Sequence, residues 1–243
     1  MMRTLFFLLV IRPLAAFLLG MNIRNFKRLP AKGPAIVIAN HNSHLDAVVL
    51  MSLFPLSCLS KIHPVAAQDY FLSNRFLAWF STKIIGIIPF KRKVCREDPF
   101  KLVEEALGRG EIIIFFPEGS RGEAEKLSSM KGGIAHLAKR LPDVPIIPVF
   151  LHGLGKALPK GDPILVPFVV DAAIGLPLPA CNDREAFLRT ISETFANLSR
   201  EIPHLHEVPD IKDQPKTREN AELDCEAPLG QNPVEGEISS KSS

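Results

Sequence analysis

Cysteine is scarce in this 243-residue chain: Cys58, Cys95, Cys181 and Cys225 stand far apart and none forms a CxxC pair. That spacing excludes a disulfide-framed secreted module and points to a reducing compartment. No glycine is followed by GK[ST] at the spacing of a nucleotide phosphate loop, which removes NTPases of that kind. A GxSxG elbow is missing too, and "GSRG" at 119–122 lacks the strained turn that exposes a serine nucleophile. The histidines form no metal pattern: His41 and His44 lie in HxxHxD order without the trailing histidine of an HxHxDH site, and no second spaced pair accompanies them. No metal is expected. A large excess of one charge is also lacking, the formal net charge being +3, but the charge is unevenly spread. From Glu207 to Ser243 nine acids face four bases, leaving that tail at −5 and the rest of the chain at +8. A basic body suits an anionic partner such as nucleic acid, a phospholipid surface or a phosphorylated substrate. The tail, with its prolines and charges, reads as disordered from 207 to 243.

The chain has one long apolar run, "TLFFLLVIRPLAAFLLGM" at 4–21, and Arg12-Pro13 interrupts it at the midpoint. As a single span it has barely the length to cross a bilayer and carries a charge and a helix breaker at its centre. As two short helices hinged at Arg12-Pro13 it lies in one leaflet, and Arg12 leaves too short an apolar core for a signal peptide. Arg24, Lys27, Arg28 and Lys32 follow, against Arg3 on the other side, a bias that keeps the domain on the cytoplasmic side. Residues 1–29 are therefore expected to form a membrane-associating helical segment. The competing reading is a core helix docked on its own domain.

Beyond Pro34, short apolar runs bounded by Gly, Pro or charge predict buried strands at 35–39, 64–67, 86–90, 111–116, 145–151 and 163–170. Between them the pattern predicts helices over 45–56, 70–82, 98–107, 128–140 and 183–201, the last capped by Asn182 or Asp183. Alternation of this kind makes an α/β protein, a mostly parallel mixed sheet flanked by helices, over 30–206. In such folds ligands sit beyond the carboxyl ends of strands. Three of those ends are polar: Asn40 to Asp46 after "AIVIA", Lys91 to Lys93 after "GIIPF", and Pro117 to Gly122 after "EIIIFF". The segment 69–81 adds five aromatics (Tyr70, Phe71, Phe76, Trp79, Phe80), suited to core packing or to the wall of an acyl groove.

The stretch "IANHNSHLDAVVL" at 38–50 supports two readings. Ser43 and Asp46 are spaced as a capping box that satisfies helix-start amides. His41 is unexplained by capping and pairs naturally with Asp46 as a base and its carboxylate. His44 reads most simply as a helix-start residue.

These residues resemble a known family. His41, four residues and Asp46 are similar to the HX4D block of the glycerolipid acyltransferase superfamily, the lysophosphatidic acid acyltransferases. "GIIPFKR" ending at Arg92, "FPEGSRG" at 116–122 and "VPIIPV" at 144–149 resemble the next three blocks in order. Lys91 departs from the pattern, which often has an acid there. The resemblance implies transfer of an acyl group from acyl-CoA or acyl-carrier protein to the free hydroxyl of 1-acyl-sn-glycerol 3-phosphate, giving phosphatidic acid. Another lysolipid acceptor, such as a lyso-ornithine lipid or lysophospholipid, is the runner-up, and a non-enzymatic lipid-binding module the third reading. It implies His41 as general base and Asp46 as its partner. Arg92 and Arg121 become phosphate contacts, Lys131 a further charge, and Glu118, Gly119 and Ser120 acceptor-site residues. The expected partners are a lipid bilayer and the two substrates, with no nucleic acid and no cofactor beyond the acyl carrier.

Overall fold

A computed structural model of the chain describes residues 1–68, 74–90, 98–120, 128–158, 166–179 and 181–202, all within one compact unit, Met1–Glu207. The predicted tail from 207 onward lies outside the described residues, as do Arg92 and Arg121.

Seven strands form the sheet: β1 (Leu19–Arg24), β2 (Ala35–Ala39), β3 (Ile62–Ala67), β4 (Ile88–Phe90), β5 (Ile112–Phe115), β6 (Ile146–His152) and β7 (Phe168–Ile174). They lie in the order β1-β7-β6-β2-β5-β3-β4, and every neighbouring pair is parallel except β6 with β7. The central strands β2, β5 and β6 are buried at every position. They read as unbroken apolar runs because helices cover both of their faces. The two-residue period of β2 divides the core. Ala35, Val37 and Ala39 pack with Phe7, Ile11 and the helix Leu45–Ser52, whereas Ile36 and Ile38 pack with Val103, Ile134, Phe187 and Ile191.

The N-terminal residues depart from expectation. Helix runs from Met2 to Leu18 without a hinge: α-helix Met2–Phe6, a π-helical turn Phe7–Ile11, and α-helix Arg12–Leu18. Pro13 has no N–H to give and its ring crowds the carbonyl four residues back. The wide turn just before it absorbs that crowding, with the Arg12 N–H donating to the Phe7 carbonyl five residues back and both φ and ψ helical at Ile11 and Arg12. The helix docks on its own domain through Phe7, Ile11 and Ala15, spaced one turn apart. The half-buried Arg3 guanidinium secures its start, donating to the carbonyls of Leu59, Ile62 and Ile85, and its partial burial lowers its pKa to about 10. Leu19–Arg24 then forms the edge strand β1 beside β7, so residues 1–29 are not helical throughout.

Other boundaries shift modestly. The expected strand at 163–170 is β7 at 168–174, displaced because the buried Asp171, which accepts from Asn22 on β1, interrupts the apolar run that marks it in sequence. The expected helix over 70–82 appears as α-helix Arg75–Trp79 continuing into a π-helical turn Phe80–Ile85, its earlier part lying outside the described residues. Among the described residues no helix is long and apolar enough to cross a membrane.

Candidate active site

β2 ends at Ala39, and the five residues that follow carry the site to the start of the helix at Leu45. Asn40 continues the sheet with its side chain. Its Oδ1 accepts from the Leu151 N–H at 2.7 Å and its Nδ2 donates to the Leu151 carbonyl at 2.8 Å, so a buried amide replaces a backbone pair where β2 leaves β6. The chain is thus fixed one residue before His41.

His41 Nδ1 lies 2.9 Å from Asp46 Oδ2. The same oxygen accepts the N–H groups of Asn42 at 2.6 Å and Ser43 at 2.8 Å. Ser43 Oγ in turn accepts the Leu45 N–H at 3.3 Å. The capping arrangement and the histidine–carboxylate pair are therefore one structure: the oxygen that caps the turn also holds the imidazole. Asp46 is fully buried, and burial raises its pKa while the His41 bond and the two backbone bonds oppose the rise. A carboxylate can only accept, so Nδ1 carries the hydrogen and Nε2 is left as the proton acceptor. The ring itself stacks on Phe116, with centroids 4.2 Å apart and planes 24° apart.

After β5 the chain turns at Gly119, whose φ of 71° suits glycine, and the Gly119 N–H bonds the Phe116 carbonyl at 3.0 Å. Glu118, 1% exposed, points inward. Its Oε1 accepts the backbone N–H of His41 at 2.8 Å and its Oε2 that of Ser128 at 3.0 Å. Burial raises its pKa as well. The sequence assigned Glu118 to the acceptor; in the fold both of its oxygens are engaged by backbone amides. Ser120 and Lys131 line the cavity with His41 and Gly119, and the Lys131 N–H donates to the Pro117 carbonyl at 2.7 Å.

That cavity, about 1220 Å³, is lined by His41 and walled by apolar side chains from several elements, among them Val48, Val65, Leu77, Ile87, Phe90 and Phe100. Phe80 also lines it, so part of the aromatic segment is groove wall rather than core alone. Asn40 and the Phe116 stack were missed from sequence. Only the placement of Asn40 at a strand end, directly before His41, hinted at its role.

An α/β sheet thus carries a histidine–carboxylate pair at its strand ends, with the histidine on the wall of a largely apolar cavity. The chain belongs to the Acyltransferase family, whose model matches residues 20–152. It is 32% identical over 143 residues to a chloroplastic 1-acyl-sn-glycerol-3-phosphate acyltransferase of Arabidopsis thaliana, covering 58% of this chain and 38% of that protein. It is 29% identical over 142 residues to the alpha 1-acyl-sn-glycerol-3-phosphate acyltransferase of Mus musculus, covering 56% and 47%. The chain thus spans less than half the length of these curated relatives. The crystal structure of the 1-acyl-sn-glycerophosphate acyltransferase PlsC from Thermotoga maritima shares the fold, with TM-score 0.65 and 21% identity over 79% of this chain and 76% of that one.

Proposed function

We propose that the protein transfers a fatty acyl group from acyl-CoA or acyl-carrier protein to the free hydroxyl of 1-acyl-sn-glycerol 3-phosphate, yielding phosphatidic acid. The observation that carries this reading is the His41–Asp46 pair, whose imidazole lines the apolar cavity. His41 Nε2 takes the hydroxyl proton as the oxygen attacks the thioester carbonyl; the carbon–sulfur bond then breaks and the departing thiolate takes that proton from the imidazolium. Asp46 holds the tautomer and stabilises the imidazolium, as the carboxylate does in a serine triad. No covalent enzyme intermediate is needed, because the thioester is already activated. The cavity accommodates an acyl chain. Lys131, with Arg92 and Arg121, supplies positive charge for the acceptor phosphate. The names of the curated relatives support this acceptor.

The protein works at a bilayer in this reading. The outer face of the N-terminal helix exposes Leu5, Leu8, Leu9, Val10 and Phe17, and beyond the pocket wall Phe76 and Trp79 are exposed on the helix 75–79. Phe6 joins the two elements through an edge contact with Phe80 at 5.4 Å. An apolar face of that extent suits the interior of one leaflet, with Arg24, Lys27 and Arg28 at the anionic headgroups and the site on the cytoplasmic side.

Purified protein given labelled acyl-CoA and a panel of lysolipids should yield labelled phosphatidic acid from 1-acyl-glycerol 3-phosphate. Product formed only from phosphate-free lysolipids would transfer the assignment to another acceptor. No product from any member of the panel would overturn it.

A further inference from the structure

We infer that Glu118 is a positioning residue for His41 rather than a substrate contact, and that its carboxylate clips the histidine's backbone to the backbone of Ser128. The inference rests on the acyl-transfer reading of His41. Four observations carry it. Both oxygens of Glu118 are used inside the protein, Oε1 by the His41 N–H and Oε2 by the Ser128 N–H. The side chain is 1% exposed and does not line the cavity, although its neighbours Pro117, Gly119 and Ser120 do. The two donors are 77 and 10 residues away in sequence, so one carboxylate joins the segment after β2 to the segments on either side of 121–127, beside the stack of His41 on Phe116. A second bond, from the Lys131 N–H to the Pro117 carbonyl, fixes the backbone from which Glu118 extends.

The two buried carboxylates then divide one task. Asp46 fixes the imidazole through Nδ1, and Glu118 fixes the main chain that carries the imidazole. Nε2 is placed only when both hold, because a base displaced by a fraction of an ångström loses its line to the hydroxyl proton. Gly119 and Ser120, which follow the same carboxylate in the chain, lie on the cavity wall. Glu118 therefore also ties the acceptor side of the cavity to the base.

Glu118→Gln tests this with little change of shape. One amide N–H is turned towards a backbone N–H, so one of the two clips is lost. We expect kcat for acyl transfer to fall about a hundredfold while the KM for 1-acyl-glycerol 3-phosphate stays within about threefold. Hydrolysis of acyl-CoA by water, measured without acceptor, should fall by the same factor, because it uses the same base. A raised acceptor KM with hydrolysis unchanged would make Glu118 a substrate contact and overturn the inference. Unchanged kinetics would overturn it as well. Full activity in His41→Ala would instead remove the reading on which it rests. Glu118→Asp keeps the charge but is one methylene short of spanning both donors, so partial recovery relative to Glu118→Ala is expected, and equal loss in the two would count against a clip. Should these variants not fold, the amide resonances of His41 and Ser128 in the unaltered protein carry the test. Both should move with one shared midpoint as Glu118 is protonated, and independent midpoints would refute a common acceptor.

Discussion

The N-terminal helix Met2–Leu18 and the C-terminal helix Arg184–Arg200 lie against opposite faces of the sheet. Both reach the core with the same spacing: Phe7, Ile11 and Ala15 on one, Phe187, Ile191 and Phe195 on the other. Their outer faces are opposites. Helix 184–200 exposes Arg184, Glu185, Arg189, Glu193 and Arg200, as a helix facing water should. Helix 2–18 exposes Leu5, Leu8, Leu9 and Phe17, the last 88% exposed. Identical inner spacing thus carries two unlike outer faces, and only the apolar one suits a helix whose outer side would meet lipid. The cavity draws on both sides of the sheet: Val48 and Ile85 pack with the cluster that receives Phe7, and Val65 and Phe100 with the cluster that receives Phe187.

The largest contrast between the two sides should be chemical. His41→Ala is expected to lower acyl transfer by about 10²–10⁴-fold, with Asp46→Asn close behind, while Glu193→Gln on the water-facing helix leaves turnover unchanged. Initial rates with labelled acyl-CoA decide this, and near-normal activity in His41→Ala would end the assignment of the base. The second contrast should vanish. Ile11→Ala and Ile191→Ala each open a cavity in a packed core and should each cost about 2–5 kcal/mol in denaturant unfolding. A much smaller loss for Ile11 would mean that the N-terminal helix is only loosely docked.

The third prediction separates the outer faces. Leu5→Glu with Leu9→Glu should weaken binding to phospholipid vesicles by about a hundredfold or more, since each leucine contributes about 1.5–3 kcal/mol when buried in an apolar medium. Arg189→Glu with Glu193→Arg should leave vesicle sedimentation as it was. Equal responses from the two helices would dissolve the comparison.

The smallest effect concerns pH. On the site side, burial holds both Asp46 and Glu118 above the ordinary carboxylate range. The folded state then binds these protons more tightly than the unfolded chain does. Their contribution to stability consequently increases as the pH falls through the raised values towards the ordinary ones. Activity should move the other way, since the protonated Asp46 no longer stabilises an imidazolium and the protonated Glu118 gives up an acceptor. Melting temperature and rate measured across the acidic range should therefore diverge, and a parallel decline of both would contradict the assignment.

Several of these features are legible in the chain itself. Strands β2, β5 and β6 announce themselves as short, bounded apolar runs, and His41 and Asp46 stand only five residues apart, so a local motif contains the whole pair. β1 is not legible, because "LGMNIR" has no clear alternation and becomes a strand only by pairing with β7. The continuity of helix 2–18 through Pro13 is equally hidden. A proline at mid-run ordinarily ends a helix, and the π-helical turn that rescues it is sustained by packing of Phe7 and Ile11 into the core.

By itself the sequence determined which residues could do chemistry and which segments must be buried, since residue type, two-residue and 3.6-residue periods and five-residue spacings are local properties. Tertiary structure alone decided what holds the chemistry in place. Asn40 meets Leu151 across 111 residues and Glu118 meets the His41 amide across 77. A hydrogen bond between distant backbone groups depends on where the sheet brings strand ends together, and no local preference of the chain encodes that position.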